Sequence, residues 1–227
     1  MTRGPMTRGS IAVMAAVAVA ALLLGAAWWR SAVKRDGKSG PEADHVQTSV
    51  GATTLDYPAA YARFGPGRAG GRLARLELAW EFPSLRGAGE AATALPADDA
   101  QREAGALVFA TLRPAADADP ADRVAALYAR FLEPDVWREE SGLIMRRFEA
   151  GSPYDREELH FTPPDGRGFS ARCVRPMQPP SDLPSTCLAT LRIEGLDADL
   201  RFPPALLPHW DALNDETRRL IASMVVK

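Results

Sequence analysis

Residues 11–29 read IAVMAAVAVAALLLGAAWW, without a charge or a proline and with one glycine. As a helix rising about 1.5 Å per residue, the run is roughly 28 Å long. That matches the ~30 Å hydrocarbon layer of a bilayer, so the run predicts a single transmembrane helix. A short head, residues 1–10, precedes it. A cleaved signal peptide is the competing reading, since Arg3 and Arg8 precede the run and Gly25 and Ala27 are small. The anchor is preferred because the run is longer than a signal core and because Trp28 and Trp29 suit an interfacial aromatic belt.

The orientation is set by two opposing signals. Arg30, Lys34, Arg35 and Lys38 follow the run, and by charge counting they would keep the downstream chain in the cytoplasm. The two cysteines, Cys173 and Cys187, favour an oxidising compartment. Thirteen residues separate them, including Pro176, Pro179, Pro180 and Pro184, and each sits near the base of an expected strand. A disulfide there would clamp a proline-rich loop, and this signal outweighs the small difference in charge. The expected location is therefore the inner (cytoplasmic) membrane of a bacterium, single-pass, with the C-terminal domain in the periplasm.

Residues 30–50 are polar, with no apolar period, and read as a juxtamembrane linker, which leaves 51–227 as one soluble domain. The chain has 27 basic and 29 acidic residues, of which six basic and one acidic precede residue 41. The chain from residue 41 onward carries a net charge of about −7 and no electrostatic footprint for nucleic acid.

Period-two alternation marks the strands. Leu76, Leu78, Trp80 and Phe82 alternate with polar or small residues, and 106–112 is apolar on both faces, as a central strand would be. Strands are also expected over 53–57, 143–148 and 157–162, around Phe169, Ala171 and Cys173, and from Cys187 to Ile193 and Leu196 to Phe202. Asp56 is expected to cap one helical turn over 58–64, and 84–103 is expected to be a surface loop. Asp119 and Pro120 open a helix whose apolar stripe is Val124, Leu127, Tyr128 and Phe131. A C-terminal helix is expected over 204–225, with Asn214 capping its second segment. The expected fold is α+β: an antiparallel, mostly sequential meander sheet with the helices of 120–132 and 204–225 on one face.

Motifs for chemistry are sparse. Gly65-Pro-Gly-Arg-Ala-Gly-Gly71 satisfies G-x-G-x-x-G, but a strand comes after it where a dinucleotide fold needs a helix, so it reads as a loop. His160 is expected on the wet face of its strand beside Glu158, and no third ligand is spaced to complete a metal site. No G-x-S-x-G elbow is present. No cofactor, metal site or catalytic residue is therefore assigned. Arg146, Arg147, Arg172, Arg192 and Arg201 fall on strands with Glu157, Glu158, Asp197 and Asp199. They read first as cross-strand ion pairs, and more sharply as a patch for an anionic ligand.

These features predict a non-catalytic binding or accessory module, held to the bilayer through residues 11–29, that engages a protein or envelope component. The alternatives are an enzyme with a site assembled from the dispersed arginines and carboxylates, and a cytoplasm-facing docking module.

Overall fold

The computed structural model describes residues 44–89, 106–175 and 185–227, which belong to one compact unit, Asp44–Lys227. The expected span 11–29, its flanks, most of the 84–103 loop and the prolines between the cysteines lie outside the described residues. Among the described residues no helix is long and apolar enough to cross a membrane.

The fold is mixed α+β, mostly antiparallel, with a C-terminal helix. A small sheet is built from β1 (His45–Val50), β2 (Thr53–Pro58) and β3 (Gly71–Leu73), in the order β2-β1-β3 with β1 and β3 parallel. The large sheet has eight antiparallel strands. These are β4 (Leu76–Phe82), β5 (Ala106–Pro114), β6 (Trp137–Arg138), β7 (Ile144–Arg147), β8 (Glu157–Phe161), β9 (Ser170–Val174), β10 (Cys187–Ile193) and β11 (Leu196–Phe202). Their order is β4-β5-β11-β10-β9-β8-β7-β6. The strands from β6 to β11 are a sequential meander, and β5 joins the outer side of β11. The sharpest turn sits between β10 and β11, where Ile193 faces Leu196 across two residues, Glu194 and Gly195, both at positive φ. That is the backbone a two-residue hairpin with right-handed strand twist requires.

Alternation along each strand sorts its side chains onto two faces. One face carries Leu76, Leu78, Trp80, Ala110, Leu112, Ala171, Cys173, Cys187, Ala189, Leu191, Leu196, Ala198 and Leu200, all buried in the main core with Leu213, Ile221 and Met224 of the C-terminal helix (Trp210–Met224). Val50, Leu55 and Tyr57 bring the small sheet into the same core. Tyr57 donates to the Gly67 carbonyl at 2.6 Å, and burial raises its phenol above the ordinary value. The second core is smaller: Val124, Tyr128, Leu132, Ile144, Phe148, Leu159 and Phe161.

These two cores lie on opposite faces of the sheet. Leu159 is the register partner of Arg172, which points away from its neighbours Ala171 and Cys173 in the main core. The expectation of both helices on one face is therefore corrected: the segment 120–131 covers one face and the C-terminal helix the other. The segment itself begins as expected, with the Asp119 carboxylate accepting from the Ala121 amide at 3.0 Å. It then winds as a 3-10 turn, one wide π turn over Val124–Tyr128, and a second 3-10 turn, in place of a regular α-helix.

Four other expectations change. His45–Val50 is a strand paired with β2, and Thr48 and Val50 are buried, so the domain begins inside the expected linker. Asp56 caps nothing: His45 and Gln47 hold it, and those hydrogen bonds lower its pKa. The glycine-rich loop is a short helix, Gly65–Ala69, leading into β3, so it offers no strand-to-helix phosphate cradle. Asn214 lies inside one continuous helix and accepts from Arg218 Nε at 3.1 Å.

Candidate functional site

One register line crosses the face that the 120–131 segment partly covers. Arg146, Leu159, Arg172, Leu188, Arg201 and Phe109 stand opposite one another on successive strands. Arg172 and Arg201 are thus the two lateral neighbours of Leu188, and their backbones are about 10 Å apart at the usual strand spacing. The next position along β10 on this face is Thr190. Arg123 reaches it from the 120–131 segment, donating from Nη1 to Thr190 Oγ1 at 2.6 Å. A small cavity opens here, walled by Arg123, Arg172, Ser170, Thr190, Tyr128 and Leu188.

The charges around it are fixed by specific partners. Arg172 Nη1 donates to Glu157 Oε2 at 2.5 Å, and its guanidinium is 4.8 Å from the Tyr154 ring and 5.5 Å from the Tyr128 ring. Thr190 donates to Asp199 Oδ1 at 2.8 Å, and Arg113 also bonds Asp199. Arg201 is exposed and makes no ion pair among the described residues. Among the described residues Arg113 and Arg172 are paired with Asp199 and Glu157, whereas Arg123 bonds the neutral Thr190 and Arg201 has no ion pair, so two of the four guanidiniums stand without a carboxylate partner.

The other arginines of the expected patch do different work. Arg192 lies on the same face but is turned onto Asp197 at 2.8 Å, and its Nη2 donates to the carbonyls of Ala116 and Ala118. The hydrogen bond with Asp197 raises the Arg192 guanidinium above its usual value. Asp197, expected to face water, is 3% exposed because the 115–118 segment folds over it, with the Ala116 amide donating at 3.0 Å. Arg146 is spent on the carbonyls of Leu132 and Glu133, which pins the end of the 120–131 segment to β7. Arg147 is on the opposite face, 3.6 Å from Glu158 and stacked on Trp137. Of the five, the structure brings Arg172 to the cavity wall and sets Arg201 opposite Leu188, another wall residue, on the next strand. Arg123, Thr190, Ser170 and Tyr128 complete the site, and nothing in their sequence spacing connects them.

His160 is buried, not wet. Its Nδ1 is 2.8 Å from Glu139 Oε1, and Ser141 donates to the other oxygen of Glu139 at 3.3 Å. The carboxylate stands between serine and imidazole, so the imidazole is not placed to take a proton from Ser141. Ser141 also accepts, through its backbone carbonyl, from Trp210 Nε1 at 2.9 Å, tying the β6–β7 turn to the C-terminal helix. The trio is a structural clasp. Among the described residues no group of three His, Cys, Asp or Glu side chains is placed to hold a metal.

Cys173 and Cys187 are direct register partners on β9 and β10 and form a disulfide. Their neighbours Arg172 and Leu188 wall the cavity on the other face, so the bridge fastens together the two strands that carry it.

No family model matches the chain, and no curated protein matches it. Two solved structures are similar. One is Smlt3025, an immunity protein of the Stenotrophomonas maltophilia type IV secretion system, at TM-score 0.56 and 14% identity, over 81% of this chain and 94% of that one. The other is the iron-regulated outer membrane lipoprotein FrpD of Neisseria meningitidis, at TM-score 0.46 and 10% identity, over 80% and 92%. At 14% identity the first likeness is one of fold.

Proposed function

We propose that the chain is a membrane-anchored, non-catalytic binding module whose domain faces the periplasm and holds a protein partner or envelope component near the bilayer. The observation that carries this reading is the asymmetry of the large sheet. One face is covered over β4, β5 and β9–β11 by the C-terminal helix and the small sheet. The other presents the half-buried Leu188 and the exposed Arg201 beside rigidly held arginines, and among the described residues neither Arg201 nor Arg123 makes an ion pair. Loops and open faces held by a stapled scaffold are where recognition surfaces form. The apolar run 11–29 supports tethering and the disulfide supports an oxidising compartment. A fold shared with a secretion-system immunity protein is compatible with a binding role.

The reading is tested by placing a photoreactive residue at Leu188 in the full chain in intact cells, with the same residue at Arg219, exposed on the C-terminal helix, as the comparison. The expected result is one discrete adduct from position 188 that fractionates with membranes, is lost in Arg201→Glu, and is missing from position 219. No adduct at 188, or equal adducts at both positions, overturns it.

A further inference from the structure

We infer that the cavity between Arg123 and Arg172 receives the carboxylate of an acidic side chain from a protein partner. This rests on the reading of the chain as a binding module and names the chemistry its open face recognises.

Three observations carry the inference. The first is donor chemistry. Arg123 and Arg172 each spend Nη1 on an internal partner, and among the described residues no other hydrogen-bond acceptor takes their remaining N–H groups. Ser170 adds a hydroxyl to the same wall. Guanidinium and hydroxyl groups lining one cavity suit an oxyanion, and charge-assisted bonds of this kind are the strong ones.

The second observation is size. The cavity measures about 30 Å³. A water needs roughly 10–15 Å³ of such space, so the cavity holds a head group of two or three heavy atoms. Pockets for whole small molecules are about 300–1,000 Å³, which excludes a nucleotide or sugar seated there.

The third is rigidity and surroundings. Arg172 is held by Glu157 and two tyrosine rings, and Arg123 by Thr190, so neither must be ordered on binding. Arg201 and the half-buried Leu188 lie alongside and give the rest of an acidic segment a positive, partly apolar surface.

The test is a titration of the full chain in detergent micelles, monitoring the arginine Nε–H resonances by NMR. The probes are acetyl-glutamate amide, acetyl-glutamine amide and inorganic phosphate. The expected result is a saturable shift at both Arg123 and Arg172 with the glutamate probe, and binding about tenfold weaker or worse with the glutamine probe. Arg123→Gln should weaken the glutamate probe by about tenfold, and Leu188→Glu should abolish its binding by placing a carboxylate at the mouth. No saturable shift, equal shifts with glutamate and glutamine, tighter binding of phosphate, or binding unchanged in both variants would overturn the inference. The titration uses neither partner nor bilayer, so its failure leaves the tethered-module reading standing. Failure of the cell crosslinking leaves the cavity's chemistry intact.

Discussion

Reduction of the Cys173–Cys187 bridge lowers the thermal midpoint of the folded domain by about 6–12 °C. The bridge closes a loop with a sequence separation of 14. In the chain-entropy account a loop of about 15 residues is worth about 3 kcal/mol, because the cross-link removes conformations from the unfolded chain. For a domain of this size each kcal/mol moves the midpoint by about 2–4 °C. Reduction is the cleaner perturbation, since replacing the cysteines would also change packing at two buried positions, 4% and 0% exposed. Calorimetry with and without reductant measures the effect, and a midpoint that does not move contradicts the proposed contribution of the bridge. The consequence reaches the site: β9 and β10 carry Arg172, Leu188 and Thr190, and these strands are joined by only three register pairs, of which the cysteine pair is one.

Phe148→Ala costs about 3–5 kcal/mol, the range for deleting a fully buried aromatic side chain. Phe148 is 1% exposed, with ring centroids 5.9 Å from Tyr128 and 5.0 Å from Tyr154; those two tyrosines lie 5.3 Å from each other. The smaller core has seven buried residues, so one lost ring empties much of it. Phe131→Ala, at a partly exposed ring that meets Tyr154 from the rim, costs less than half as much. Urea unfolding of the two variants checks the ratio, and equal costs would contradict the account of this core. Tyr128 and Tyr154 also flank the Arg172 guanidinium, so Phe148→Ala should loosen the cavity as well as the fold.

How far the sequence could be read depends on what alternation encodes. It encodes which residues of a strand share a face, and the buried runs of β4, β9, β10 and β11 come out as their periods predict. The cysteines fit the same logic: each continues the buried series of its strand, and the two meet as register partners. Alternation does not encode which face of the sheet a helix covers. Leu159 and Phe161 are inward, as expected, but into the smaller core, because Leu159 shares its register with Arg172 and not with Cys173. Both faces of β8 are covered, which is why His160 is buried between two buried apolar residues. Asp197 is buried for a different reason, a loop returning over its carboxylate to meet Arg192. Such a loop leaves no period.

The site was legible only as a row of arginines. Register gathers Arg172 and Arg201 around Leu188. Arg123 joins them only because the 120–131 segment crosses this particular face. Sequence distance hides the link, as Arg123 and Thr190 are 67 residues apart. Arg192 makes the cross-strand pair with Asp197 that the residue pattern suggests, but its bonds to the Ala116 and Ala118 carbonyls and those of Arg146 to Leu132 and Glu133 are announced by no pattern.

The claim of a tethered module outside the cytoplasm is met most directly by the redox state of Cys173 and Cys187 in living cells. Cells are quenched in acid, the chain is denatured, and a heavy maleimide is added with and without prior reduction, so that burial of the thiols has no influence. The account predicts no gel shift without reductant and a shift of two labels with it. Two labels without reductant would mean free thiols in a reducing compartment, and would contradict the periplasmic assignment on which the proposed function stands.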